Sequence, residues 1–313
     1  MPDIITINNH EVGLGEHEKI NLNIARLPTY TEIDLPVLIY RAKEDGPVLL
    51  LTGGLHGDEI NGVETIRRMI EEKSIIPQRG SVIAVPIVNI YGFIQNVRGV
   101  PDGKDINRSF PGTKRGSLAR LLAHTIMNEI IPHIDCGIDL HTGGASRANY
   151  PQIRCSFNSE RAKELAHVFN APVTLNSSLI SKSFRNAAHK KGKEIIVYET
   201  GESMRFDEKG IEEGIRGIQR IMEYLGMNDE GPEQQPSKTY KKSTWVRTHN
   251  SGLFTPNIAL GDELDRKELL GWVKDPYGKL NAKITAPKSG MVIGLNNCPV
   301  VNKGDALIHF AFN

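Results

Sequence analysis

A short apolar run, Pro47-Val48-Leu49-Leu50-Leu51, passes directly into Thr52-Gly53-Gly54-Leu55-His56-Gly57-Asp58-Glu59, and this junction constrains the chain more than any other stretch. The run has the length and unbroken hydrophobicity of a strand buried on both faces, and the glycines end it. Beyond them Ile60, Val63, Ile66 and Ile70 recur at helical spacing, so His56 and Glu59 stand at a strand-to-helix turn. Two side chains three residues apart on one turn can converge on a single cation.

Of the ten histidines only His56 has a glutamate three positions later, and no His-Glu-x-x-His occurs. The metalloprotease pattern carried on one helix is therefore excluded. A pair of this kind is also what an exposed helix start would show, with Glu59 favouring the dipole. A catalytic zinc needs three protein ligands and an open position, so a third ligand has to come from elsewhere.

Two other apolar stretches end in chemically useful residues. Cys136-Gly137-Ile138-Asp139-Leu140-His141-Thr142-Gly143-Gly144 reads as a strand closing on a histidine and then glycines. Sites in open α/β sheets form at the carboxyl ends of strands, so His56 and His141 can meet there. A capped surface histidine is the competing account of His141. Glu194-Ile195-Ile196-Val197-Tyr198-Glu199-Thr200-Gly201 closes on a carboxylate, which is costly to bury unless it is paired or functional. Beside an activated water Glu199 could accept a proton and pass it to a leaving amine; a salt-bridged strand end is the bland alternative. The long loop from Arg98 to Gly112 carries Arg98, Asn107 and Arg108. Arg108 beside Asn107 can hold a carboxylate through a bidentate fork, and Arg98 can polarise a carbonyl. Solvated loop arginines remain the simpler account, more so for Arg98 than for Arg108.

In chain order, residues 1–30 read as an arm or edge strand. Strand-like runs then recur at 33–40, 48–51, 82–88, 137–140, 172–175 and 194–198. Helical patterns separate them: one capped by Ser117 with Leu118, Leu121, Leu122, Ile126 and Ile130 on a face, one capped by Ser159, and one through Ile211, Ile215, Ile218, Met222 and Leu225. The alternation predicts an α/β fold with a mixed, mostly parallel sheet flanked by helices. Past Gly226 the stretch Asn228–Lys242 is polar and aperiodic. The expected division is a catalytic domain over 1–228, a linker over 229–242 and a β-rich C-terminal domain over 243–313. In that last part Ser251-Gly252-Leu253-Phe254 before Gly261-Asp262 is echoed by Ser289-Gly290-Met291-Val292 before Gly304-Asp305, which suggests a small barrel or sandwich of two related halves. The pattern resembles biotinyl and lipoyl barrels, but no lysine stands in a carrier hairpin, so a wall or cap over the site is expected.

With 38 basic and 37 acidic residues there is no electrostatic case for nucleic acid or an anionic membrane as partner. No apolar run reaches membrane-spanning length, and Met1-Pro2-Asp3 opens without a leader-like n-region. Cys136, Cys155 and Cys298, odd in number and widely spaced, suit a reducing cytoplasm.

Taken in order, His-Gly-Asp-Glu at 56–59, Asp-Ile-Asn-Arg-Ser-Phe-Pro-Gly at 105–112, Asp-Leu-His-Thr at 139–142 and Tyr-Glu-Thr-Gly at 198–201 resemble the motifs of the succinylglutamate desuccinylase/aspartoacylase family, in the zinc carboxypeptidase clan. The resemblance runs from about residue 30 to 313. It implies one zinc per chain held by His56, Glu59 and His141, Glu199 as general base and acid, Asn107 and Arg108 on the substrate carboxylate, and Arg98 on the amide carbonyl. It implies a deacylase acting on an N-acyl amino acid or a related small carboxylate. A metallocarboxypeptidase acting on a peptide or tagged protein fits the same motifs, and a non-catalytic zinc- or ligand-binding protein would fit all but Glu199. Arg185 and Tyr277 are candidates for the family's further substrate contacts. The partner expected is a small molecule, with room for a homo-oligomer.

Overall fold

The computed structural model describes residues 4–26 and 29–313; the leaderless opening expected at Met1–Asp3 lies outside them. Strands β1 (Ile4–Ile7) and β2 (His10–Gly13) pair as a hairpin, and β3 (His17–Arg26) and β4 (Glu32–Arg41) form a long antiparallel pair. Next come β5 (Glu44–Thr52), α1 (Asn61–Glu71), β6 (Arg79–Val85), α2 (Ile90–Gln95), α3 (Leu118–Thr125), β7 (Cys136–Gly143) and β8 (Arg147–Cys155). They are followed by α4 (Glu160–Phe169), β9 (Val173–Asn176), α5 (Phe184–His189), β10 (Glu194–Glu202) and α6 (Glu208–Tyr224). The remainder is β11 (Lys238–Tyr240), β12 (Lys242–Arg247), β13 (Gly252–Pro256), β14 (Glu263–Leu264), β15 (Leu269–Lys274), β16 (Asn281–Thr285), β17 (Gly290–Asn296), β18 (Val300–Val301) and β19 (Ala306–Phe312).

The centre of the main sheet is parallel: β10 pairs β7, β7 pairs β5 and β5 pairs β6, while β4 and β3 close one side antiparallel. The period of two along each strand sorts side chains into two cores. Leu50, Ile83 and Ile195 pack with Leu122 and Ala123 of α3 and Phe184 of α5. Leu49, Leu51, Ala84, Ile138 and Ile196 pack on the other face with Ile66 of α1, Leu165 of α4 and Ile221 of α6. This is the mixed α/β architecture expected, and the continuous apolar strands exist because both faces are covered.

Local details depart from the expected pattern. Helix α1 buries Gly62, Thr65 and Met69 with Ile66, while Ile60, Val63 and Ile70 of the expected stripe are only half-buried. A Cβ at Gly62 would sit 2.5 Å from the Leu140 Cβ, so the missing side chain lets the helix lie directly on β7. Ser159 caps α4 through the Ala162 amide, but the Ser117 hydroxyl caps nothing, and α3 runs on as a wider π turn over Ile126–Ile130. Strand β8 had no sequence signal because Pro151 interrupts it.

The expected linker is not free chain. Lys238–Tyr240 pair in parallel with Val173–Leu175. Backbone hydrogen bonding also runs on from β10 to β8 to β17 to β19 to β12. The polar sequence hid this because a three-residue edge strand needs no apolar period. The internal echo is real in its turn chemistry. Asp262 accepts from the Ala259 amide at 2.8 Å and Asp305 from the Asn302 amide at 2.7 Å, each after a glycine of positive φ.

Candidate metal centre and cavity

The three residues of the strand ends meet. His56 follows β5, His141 lies near the end of β7, and Glu199 is its backbone neighbour on β10 in the parallel register. Gly54 takes φ +56°, which turns the chain off β5, and a Cβ at Gly57 would fall 1.9 Å from the Gly92 carbonyl carbon. Glycine at these two positions is what lets the turn fold back and aim His56 at His141.

His56, Glu59 and His141 are all buried, with ligand atoms within 4.8 Å of one another. The His141 Nδ1 lies 2.7 Å from Glu59 Oε2, which also accepts the Thr142 amide. The His56 Nδ1 stands 2.7 Å from Glu59 Oε1 but off the line a hydrogen bond needs, so it is buried with no hydrogen-bond partner among the described residues. Each imidazole uses its other nitrogen on a carboxylate: His56 Nε2 on Asp105 at 3.1 Å and His141 Nε2 on Asp139 at 2.8 Å. Thr52 in turn donates to Asp139. Carboxylates behind both rings fix the tautomer and leave Nδ1 as the lone-pair donor, the usual support of a metal-bound histidine. Two imidazole nitrogens and one carboxylate, with an open side, fit zinc in donor type and number.

The electrostatics fit as well. Burial works against the Glu59 charge, yet the two imidazoles hold its carboxyl well below the usual range. Burial likewise opposes charge on His141 and His56, but Asp139 and Glu59 raise the first and Glu59 and Asp105 raise the second. Three carboxylates around two imidazoles make a pocket that attracts positive charge.

The cluster forms the floor of a cavity of about 490 Å³. Arg98, Arg108, Arg147, Arg154 and Arg185 line it, so an anionic ligand is favoured above a cation-seeking floor. Arg98 bonds Glu59 at 3.0 Å and Asp105 at 3.0 Å, against the ligand set rather than out in the cavity. Among the described residues Arg108 bonds only its neighbour's carbonyl, that of Asn107, and the Asn107 side-chain oxygen accepts the Phe184 amide at the start of α5. Arg185 spends its guanidinium on the carbonyls of Arg154, Ser177 and Ser178. Tyr277 is 84% exposed and does not line the cavity.

Glu199 accepts from Asn149 at 2.6 Å and pairs with Arg154 at 2.9 Å. Trp245 of β12 closes one wall, with the Arg147 guanidinium 5.4 Å over its ring and His309 stacked behind it at 4.6 Å. Sequence reasoning missed Asp105, Asp139, Asn149, Arg147, Arg154 and Trp245. Asp139 had a readable signal, since it lies two residues before His141 and so on the same strand face. Asp105 caps the short turn Ile106–Arg108 in the long loop, and Arg147, Asn149, Arg154 and Trp245 depend on β8 and β12, whose placement the sequence does not encode locally.

A family model described as the succinylglutamate desuccinylase/aspartoacylase catalytic domain matches residues 45–225. An N-alpha-acetyl-L-2,4-diaminobutyric acid deacetylase of Halomonas elongata is 28% identical over 289 residues, 87% of this chain and 84% of its own. A solved succinylglutamate desuccinylase/aspartoacylase from Rhodobacter sphaeroides is similar at TM-score 0.83 and 25% identity, over 95% of this chain and 96% of that one. The product-bound ectoine utilization protein EutE (DoeB) from Ruegeria pomeroyi gives TM-score 0.84 at 21% identity over 95% of each chain, a likeness of fold.

Proposed function

The chain belongs to the succinylglutamate desuccinylase/aspartoacylase family, and from that premise we propose that it is a zinc-dependent amidohydrolase removing the acyl group from an N-acyl amino acid or related small carboxylate. The observation that carries this is the His56–Glu59–His141 cluster with both imidazoles backed by carboxylates, set beneath an arginine-lined cavity. His56 and His141 through Nδ1, with Glu59, would hold the ion. A bound zinc supplies Lewis acidity toward the amide oxygen and activates water.

The remaining work falls to this chain's own side chains. Glu199, on the strand beside His141, takes the proton from the attacking water and returns it to the departing nitrogen. Arg108, whose guanidinium bonds only the Asn107 carbonyl among the described residues, binds the substrate carboxylate, with the Asn107 amide beside it. Arg98 then serves the amide carbonyl from the edge of the ligand set. The Trp245 wall limits the cavity to a small substrate, which favours a deacylase over a carboxypeptidase. The named activity of the Halomonas relative makes N-acetylated diamino acids the first compounds to screen. The cysteine usage supports a cytoplasmic setting for the reaction.

Glu199→Gln tests the reading. It should keep its zinc and lose about two to four orders of magnitude in kcat. Near-normal turnover in that variant removes Glu199 from the mechanism.

A further inference from the structure

A second cavity, of about 360 Å³, opens on the far side of Arg154, at the seam between the end of β9 and the β11–β12 connection. Arg154, Lys241, Lys242, Ser177, Ser243 and His309 line it, and no carboxylate does among the described residues. Lys241 and Lys242 are exposed and enter no ion pair with the described residues. His309 is 7% exposed, its Nε2 shares a hydrogen bond of 2.9 Å with the Ser243 hydroxyl, and its Nδ1 is buried without a partner among the described residues. Three cations and hydroxyl donors with no facing carboxylate among the described residues make a setting that a small oxyanion satisfies and a cation does not.

Arg154 lines both cavities. Its Nη1 holds Glu199 at 2.9 Å and its Nε lies 3.3 Å from Gln152, whereas Nη2 has no partner among the described residues. Burial and the nearby Arg154 charge also push the His309 imidazole down to about 3, so His309 stays neutral at ordinary pH and adds no positive charge of its own. The guanidinium is thus a shared wall between the reaction cavity and the seam.

We infer that the seam pocket is a separate binding site for a small oxyanion, of phosphate or carboxylate chemistry, held by Lys241, Lys242 and Arg154 and competing with Glu199 for the Arg154 guanidinium. The binding half of this statement stands without the hydrolase reading; the coupling half rests on it. An occupant would loosen the clamp on Glu199 without entering the reaction cavity, so its mark is a changed kcat at unchanged KM.

The test is calorimetric titration of inorganic phosphate into the zinc-loaded full chain, into the Lys241→Ala/Lys242→Ala double variant and into Arg108→Ala. Both lysines are exposed, so the double variant should fold. Phosphate should bind the wild type and Arg108→Ala alike, and about tenfold or more weaker to the double variant. With a hydrolysed acyl substrate, phosphate should change wild-type kcat and leave KM in place. Undetectable binding, equal affinity in the double variant, or loss in Arg108→Ala instead would each overturn the site. A rise in KM alone would place the anion in the reaction cavity and overturn the coupling. Absence of hydrolysis on every acyl substrate would overturn the hydrolase reading while leaving the titration to decide the seam site.

Discussion

The floor of the cavity and its wall are built on opposite principles. On the floor the charges are already answered: buried Glu59 by two imidazoles, those imidazoles by half-buried Asp105 and buried Asp139, and Asp139 by Thr52. On the wall Arg108 and Arg147 reach the cavity with no ion pair among the described residues. A buried carboxylate cluster is tolerable only when charge and geometry are fixed in advance, which suits a permanently held ion. Unpaired guanidiniums at a half-open surface cost little while hydrated and stay available to an incoming anion. Cofactor and substrate would therefore be separated by how far their residues are satisfied beforehand.

Breaking the floor should have the largest consequence. His141→Ala removes a ligand and strands Asp139 and Glu59, so zinc should fall from about one per chain to a trace by elemental mass spectrometry. Full zinc in that variant would put the third ligand elsewhere. One layer out, Asp139→Asn keeps all three ligands and should weaken zinc about 10- to 100-fold in a chelator competition; an unchanged affinity would mean the carboxylate behind His141 is only scaffolding.

On the wall the effect should be smaller and of another kind. Arg108→Ala should raise KM about tenfold for an acidic acyl substrate and leave zinc content untouched. Zinc loss there would erase the distinction between floor and wall. The smallest effect belongs behind the wall, where His309 is neutral when folded, with its pKa pushed down to about 3 by burial and Arg154. Its unfolded value is higher, so between the two the unfolded chain binds the extra proton and stability falls as pH drops below about 6.5. One unit below that point the loss is about 1.4 kcal/mol at most. His309→Gln should lack this contribution in denaturant melts, and identical acid slopes would show that His309 is not buried neutral.

The same contrast explains what could be read in advance. The apolar runs at 48–51, 137–140 and 194–198 appear as β5, β7 and β10 because strands covered on both faces must be continuously hydrophobic. Their terminal His56, His141 and Glu199 were legible for the same reason: a polar residue closing such a strand stands out. Asp139 was legible in principle from the period of two. Arg147, Asn149 and Arg154 were not, since Pro151 breaks the pattern of β8, and Trp245 gave no sign that it would face a cavity. The polar stretch before β12 concealed a strand, because β11 is held by three pairings with β9 rather than by hydrophobic side chains.

The sequence by itself determined the α/β alternation, the strand ends and the residues that project from them, all consequences of local period, chain punctuation and the cost of burying a polar group. Tertiary structure alone decided that Asp105 stands behind His56, that Arg154 divides two cavities, and that β12 supplies a wall to a cavity whose other lining residues all precede it in the chain. The first is a contact of the long loop with the turn after β5, the other two follow from how the sheet continues through β8 into β17 and β19, and no local pattern in the chain encodes them.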